Sequence, residues 1–200
     1  METKQGGYLE VILGPMFSGK TSKLVEIYKQ YTFCNIPILV VNHQEDNRYT
    51  QDSDNCAMIT HDQIKINCIQ SNTLLSVLEG RIESYHEKPM AVLINEGQFF
   101  PDLYKAVYEM VYTHKMHVYV GGLDGDFQQK KFGQMLDLIP ICDKVHKLHS
   151  LCVHCKDGTK APFSHRIDNS NQEQKLVGAS EAYIPLCRGC LIKSSKSSKS

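Results

Sequence analysis

The chain has 200 residues and 42% apolar content, which suits one domain of ordinary size, or one with a small appendage, and rules out disorder along its whole length. Lysine plus arginine and aspartate plus glutamate are equal at 22 each, so no bulk field exists to hold a long polyanion, and a nucleic-acid partner is not expected. The longest apolar stretches, such as Met90 to Ile94 and Val118 to Val120, are far too short to cross a bilayer, and Met1 to Glu10 is polar rather than signal-like. The expectation is a soluble, cytoplasmic protein with no membrane partner, whose eight cysteines are kept reduced.

The first predicted element is the β-rich run Leu9 to Leu13, and the first helix-forming stretch is Ser22 to Tyr31. Between them, Gly14-Pro15-Met16-Phe17-Ser18-Gly19-Lys20-Thr21 fits G-x-x-x-x-G-K-[ST], which marks a nucleoside triphosphate binder. Each residue type has a task. The glycines let the backbone bend until its N–H groups point at phosphate oxygens, and the helix that follows offers its positive end to the same anion. Lys20 neutralises the transferable phosphates, and Thr21 supplies a hydroxyl for Mg²⁺ without adding charge.

Further β-rich runs follow at Ile38 to Asn42, Met90 to Ile94, Val118 to Gly121 and Lys144 to Leu148. Ser71 to His86 and Leu103 to Tyr112 carry apolar residues at helical spacing, and Asp46 to Asp62 is polar and aperiodic, either a loop or a short excursion that covers the phosphates. The alternation predicts an α/β fold, a parallel sheet with helices on its faces. Asn95-Glu96-Gly97-Gln98-Phe99-Phe100 emerges at the carboxyl end of a buried strand, where open α/β sheets place their ligands. Glu96 is the only carboxylate at that strand end, so it is the candidate base for a phosphoryl-acceptor hydroxyl.

Composition changes near Leu148, which divides the chain into 1–148, a nucleotide-binding α/β domain, 149–192, a metal-binding and lid domain, and 193–200, a disordered Lys/Ser tail. Cys152-x-x-Cys155 and Cys187-x-x-Cys190 have the pair spacing of a structural zinc site, with a redox dithiol pair as the alternative. Cys34, Cys56, Cys68 and Cys142 are scattered and read as small buried or half-buried thiols. Four thiolates close the metal site to water, which leaves Lys156 to Leu186 as a loop anchored at both ends, the length and setting of a binding lid.

Taken together, Gly-Pro-Met-Phe-Ser-Gly-Lys-Thr, Asn-Glu-Gly-Gln-Phe-Phe-Pro-Asp, Leu-Asp-Gly-Asp-Phe-Gln and the two cysteine pairs resemble the cellular and poxviral type of thymidine kinase, over nearly all of Leu9 to Cys190. The resemblance implies a RecA-like P-loop domain with a lasso-like lid on the zinc-binding domain. It also implies use of ATP and Mg²⁺, transfer to the 5′-hydroxyl of thymidine, a homotetramer, and dTTP as feedback inhibitor. By the same resemblance Glu96 is the general base, and Met16, Phe99, Leu123, Phe127 and Phe132 line the nucleoside pocket. Ser164, Tyr183 and the stretch Leu176, Val177 and Gly178 are the lid's contacts with the base, while Asp46, Arg48, Asn95 and Gln98 join the loop around the phosphates and Mg²⁺.

Two positions depart from the family pattern. Asn95 stands where aspartate precedes the catalytic glutamate, which removes one negative charge near Mg²⁺ and predicts weaker metal affinity with activity retained. Ser164 stands where threonine is usual and keeps the hydroxyl. A deoxynucleoside kinase of different base preference, and a non-enzymatic nucleotide sensor or zinc-ribbon binder, remain the alternatives at this point.

Overall fold

The computed structural model describes residues 6–44, 57–59, 65–82, 91–167, 174 and 182–197. The expected site residues Asp46, Arg48, Leu176, Val177 and Gly178 lie outside them.

The architecture follows from strands that are apolar on both faces. Strand β1 (Tyr8–Leu13) leads into helix α1 (Lys20–Phe33) and strand β2 (Ile38–His43). After a short antiparallel hairpin, β3 (Ala57–Ile59) with β4 (Lys65–Asn67), come β5 (Ile69–Ser71) and helix α2 (Leu74–Val77). Strand β6 (Ala91–Asn95), helix α3 (Leu103–Tyr108), β7 (His117–Gly122) and β8 (Lys144–Lys147) complete a six-stranded sheet in the order β5-β2-β6-β7-β1-β8, every pairing parallel. All five residues of β6 are buried, as a central strand covered on both faces requires.

Period-two alternation divides the strand residues between two cores. Ile12, Val40, Ala91, Leu93 and Tyr119 pack under α1 with Leu24, Val25, Ile27 and Tyr31. Val11, Leu13, Val41, Val92, Ile94, Val118 and Val120 pack on the other face with α2 and α3, through Leu74, Val77, Leu103, Ala106 and Val107. Helix α1 stops where Asn35 takes a left-handed conformation (φ 55°) and its N–H and that of Cys34 return to the carbonyls of Thr32 and Gln30, with Pro37 just beyond.

Several elements differ from expectation. Strand β5 escaped prediction because it has three residues, of which Gln70 and Ser71 are polar. The helix expected over Ser71 to His86 begins only at Leu74, because the Leu74 and Leu75 N–H groups are capped from outside by the Asp102 carboxylate (3.1 and 2.8 Å), and it widens into a π-turn at Leu78–Ile82. Helix α3 widens likewise at Glu109–Thr113. Within the polar stretch Asp46 to Asp62, Ala57–Ile59 form β3, and the rest of the stretch lies outside the described residues.

A separate small core follows the sheet. Strands β9 (Ser150–Leu151) and β10 (Lys160–Ala161) pair with each other, as do β11 (Phe163–Arg166) and β12 (Tyr183–Leu186), and helix α4 (Arg188–Ser197) closes the module over Cys152, Ala161, Leu186 and Leu191. Helix α4 carries the chain to Ser197, and residues 198–200 of the expected tail lie outside the described residues. The turn at Cys187 nucleates the helix, buried Leu191 anchors it, and adding lysines and serines to a nucleated helix costs little. No helix among the described residues is long and apolar enough to cross a membrane.

Strand β7 ends in Gly121-Gly122, and both are there for close approach. A Cβ on Gly121 would lie 2.9 Å from Leu24 of α1, and one on Gly122 would lie 2.7 Å from Gln98 Oε1 and 2.8 Å from Met135 Sδ. Gly122→Val, although it improves strand propensity, is expected to lower unfolding free energy by about 1–3 kcal/mol through overpacking. Urea denaturation measures this, and a variant as stable as wild type would contradict the packing described.

Candidate active site

Strands β1, β7 and β6 end level with one another. Leu13 is opposite Gly122, Ile12 opposite Gly121, and Ile94 opposite Val120. The carboxyl ends of all three therefore open onto one edge of the sheet, the place where α/β folds bind ligands. The phosphate loop leaves from β1 and Glu96 leaves from β6.

At the loop, Gly14 is pressed between Ser18 and the strand end, and a Cβ there would lie 2.6 Å from Ser18 Oγ. Phe17 (φ 61°) and Gly19 (φ 85°) are left-handed, which turns successive N–H groups inward as an anion nest. Phe17 bears this conformation without being glycine, a strain of the kind kept at functional sites. Helix α1 begins at Lys20, whose Nζ donates to the Pro15 carbonyl (2.7 Å) across the loop. Thr21 follows, half-buried, in the first turn. Ser18 Oγ is buried without a hydrogen-bond partner among the described residues. An orphaned hydroxyl beside an N–H nest at a helix start fits a phosphate ligand.

Glu96 sits just past β6 with its backbone left-handed (φ 55°, ψ 42°), and it is 9% exposed. Its carboxylate accepts from Gln98 Nε2 at 2.6 Å, and Gln98 Oε1 in turn accepts from the Leu123 N–H at 2.9 Å. Gln98, expected among the nucleotide contacts, therefore orients Glu96, and the Leu123 backbone orients Gln98. Asn95 faces the α1 side of the sheet and donates to Asn42 Oδ1 (3.0 Å), its register partner on β2, with both residues 2–3% exposed. The sequence offered no sign of Asn42, because a polar residue at the end of a strand is ordinary.

The aromatic residues form two groups. Phe99 packs edge-on to Phe132 (5.6 Å between ring centres) and leans on His43 (5.5 Å). Phe127 lies under the Arg166 guanidinium, 3.8 Å from ring centre to Cζ, and Arg166 also donates to the Tyr183 hydroxyl. Residues 123–133 carry Leu123, Phe127 and Phe132 on one segment, pinned where Asp126 Oδ1 accepts from the Gln128 and Lys130 N–H groups. Ser164 on β11 accepts from the Met16 N–H at 2.9 Å, which joins the small module to the phosphate loop. Arg166, fully buried, was missed because an arginine in a polar segment reads as surface.

The sulfurs of Cys152, Cys155, Cys187 and Cys190 all lie within 4.8 Å of one another. Cys155 Sγ is 3.8 Å from Cys187 Sγ and 3.6 Å from Cys190 Sγ. A tetrahedron with Zn–S near 2.3 Å requires sulfurs about 3.8 Å apart, so the four fit zinc. Crowding of the thiols pushes Cys190 up to about 12, first through its hydrogen bond with Cys155 and then with Cys187, a cost that a cation among the sulfurs removes.

A family model for thymidine kinase matches residues 7–191. The chain belongs to the thymidine kinase family. Among its relatives, the thymidine kinase of Myxoma virus (strain Uriarra) is 36% identical over 186 residues, covering 92% of this chain and 96% of the viral protein. Thymidine kinase 1 of Dictyostelium discoideum is 35% identical over 188 residues, 94% of this chain and 79% of that protein. The thymidine kinase of Vaccinia virus (strain Western Reserve) is 33% identical over 189 residues, 94% of this chain and 99% of the relative. The α/β fold with its parallel sheet and four-cysteine cluster is consistent with this thymidine kinase membership.

The cluster predicts one tightly held zinc per chain. Cys187→Ser should purify with well under one equivalent and melt at lower temperature, read by metal analysis beside a thermal scan. Full zinc content and an unchanged melt would show that the four sulfurs are not its ligands.

Proposed function

We propose that the protein phosphorylates thymidine, transferring the γ-phosphoryl group of ATP to the 5′-hydroxyl to give thymidine monophosphate and ADP. The observation that carries this reading is the convergence, on one sheet edge, of the phosphate loop and a carboxylate fixed by Gln98, in a chain of this family. The roles of the site residues are part of the proposal.

The loop Gly14, Pro15, Met16, Phe17, Ser18 and Gly19 wraps the triphosphate, with N–H groups from the residues around the left-handed turns at Phe17 and Gly19 and none from Pro15, and Ser18 Oγ, unpartnered among the described residues, turns to a phosphate oxygen. The Lys20 ammonium exchanges the Pro15 carbonyl for phosphate oxygens. Mg²⁺, when bound beside Thr21, spreads the charge of the phosphates. Glu96 takes the proton of the 5′-hydroxyl, the oxygen bonds to the γ-phosphorus, and the bond to the bridging oxygen breaks, leaving its electron pair on ADP. Since Gln98 holds Glu96 in one orientation through a bond within the protein, little reorganisation is left for the reaction itself.

Met16, Phe99, Leu123, Phe127, Phe132, Ser164 and Tyr183 are the proposed nucleoside pocket, with main-chain contacts from Leu176, Val177 and Gly178. Asp46 and Arg48 are assigned to the phosphates by family resemblance. Asn95, whose amide nitrogen is held by Asn42 on the α1 side of the sheet, is proposed to act on Mg²⁺ at a distance, as a neutral group where the family has a carboxylate. A cytoplasmic homotetramer inhibited by dTTP in the nucleoside site completes the reading.

Glu96→Gln keeps the shape and removes the base. It should lower kcat by about 10²–10⁴-fold with the KM for ATP little changed, measured by thymidine monophosphate formation at saturating Mg²⁺. Wild-type turnover in that variant would remove Glu96 from the mechanism, and a folded, zinc-loaded wild type that leaves thymidine unphosphorylated would overturn the function.

A further inference from the structure

Arg166 is the largest fully buried side chain in the described structure, and its position joins three segments. It ends β11, and its cross-strand partner on β12 is Tyr183. Nε and Nη2 both donate to the Tyr183 hydroxyl, at 3.0 and 2.5 Å. Nη2 also donates to the Gln174 carbonyl at 3.3 Å. The flat guanidinium lies 3.8 Å over the centre of the Phe127 ring and 5.2 Å from that of Tyr183. Gln174 closes the arrangement by donating from Nε2 to Asp126 Oδ2 at 2.8 Å, on the residue next to Phe127.

Burying a guanidinium is costly unless its donors and its face are used, and here both are. A lysine could supply the charge but neither the planar face for Phe127 nor two donors in a fixed fork. The hydrogen-bond arithmetic at Tyr183 is also decisive. A phenolic oxygen accepts through two lone pairs and donates one proton. With Arg166 supplying two N–H groups to that oxygen, its acceptor capacity is spent and only the O–H remains to be offered outward.

We propose that Arg166 is a specificity-determining positioning residue: it holds Phe127 and Tyr183 in fixed relation and leaves Tyr183 as a hydrogen-bond donor only, selecting nucleosides that present an acceptor oxygen there. The inference rests on the nucleoside pocket proposed above. Its contacts with Tyr183, Gln174 and Phe127 lie among the residues of the proposed nucleoside pocket and the segments that carry them, so its influence is expected on the nucleoside rather than on ATP.

The test is nucleoside binding by calorimetry, with KM and kcat for each substrate, in wild type, Arg166→Met, Arg166→Lys, Tyr183→Phe and Arg166→Met/Tyr183→Phe. Thymidine affinity is expected to fall at least tenfold in Arg166→Met, with the KM for ATP within twofold and zinc content unchanged. Arg166→Lys should not rescue it. Adding Arg166→Met to Tyr183→Phe should cost markedly less than Arg166→Met alone, because the donor that Arg166 positions is already gone. Wild-type thymidine affinity in folded Arg166→Met, rescue by Arg166→Lys, or independent effects of the two substitutions would each overturn the proposal while leaving the kinase reading intact. If Arg166→Met does not fold, Tyr183→Phe decides: unchanged discrimination between thymidine and deoxycytidine overturns it. A wild type that binds no pyrimidine nucleoside would overturn the function and this inference with it.

Discussion

Everything at the site depends on how closely other elements approach the end of β7. Gly121 lets Leu24 of α1 settle on one face, and Gly122 lets Gln98 and Met135 settle on the other. The first contact fixes the height of the helix whose N-terminus carries Lys20 and Thr21. The second fixes Gln98, and through Gln98 the Glu96 carboxylate. A strand with no side chains at its carboxyl end thus spaces the two halves of the proposed phosphoryl-transfer site, with the parallel register of β1 and β6 on either side keeping both at the same level.

The four-cysteine module is tied to that edge by directional bonds. Ser164 receives the Met16 N–H, so a strand of the module touches the phosphate loop itself. Two residues further on, Arg166 binds the module to the segment bearing Phe127. The four sulfurs hold the base of this arrangement, where the apolar cluster around Leu186 and Leu191 is small. A core of that size contributes little hydrophobic burial, so a metal held by the four sulfurs would have a positional role.

Much of this was legible in the sequence for definite reasons. The phosphate loop and the cysteine pairs are local patterns whose spacing is dictated by the ligand, so Gly14 to Thr21 and Cys152, Cys155, Cys187 and Cys190 could be read without a fold. Buried strands such as β6 are continuous apolar runs and were placed within a residue. What could not be read were partnerships between distant residues. Asn42 meets Asn95 across 53 positions, Gln98 meets Leu123 across 25, and the Asp102 cap on α2 acts across 28. None leaves a periodic trace. Arg166 was hidden for the opposite reason: its residue type predicts exposure, and the aromatic ring under it with the hydroxyl and carbonyl oxygens it donates to make burial tolerable.

The loop and Glu96 are proposed to act on the two ends of a single transfer line. A crystal structure with thymidine and a non-hydrolysable ATP analogue bound together would decide this. The γ-phosphate is expected against the N–H groups of the loop and the thymidine 5′-oxygen within about 2.6–3.2 Å of the Glu96 carboxylate, with Gln98 still holding its other side. A nucleoside seated with its 5′-oxygen turned away from Glu96, or on a different edge of the sheet, would contradict it.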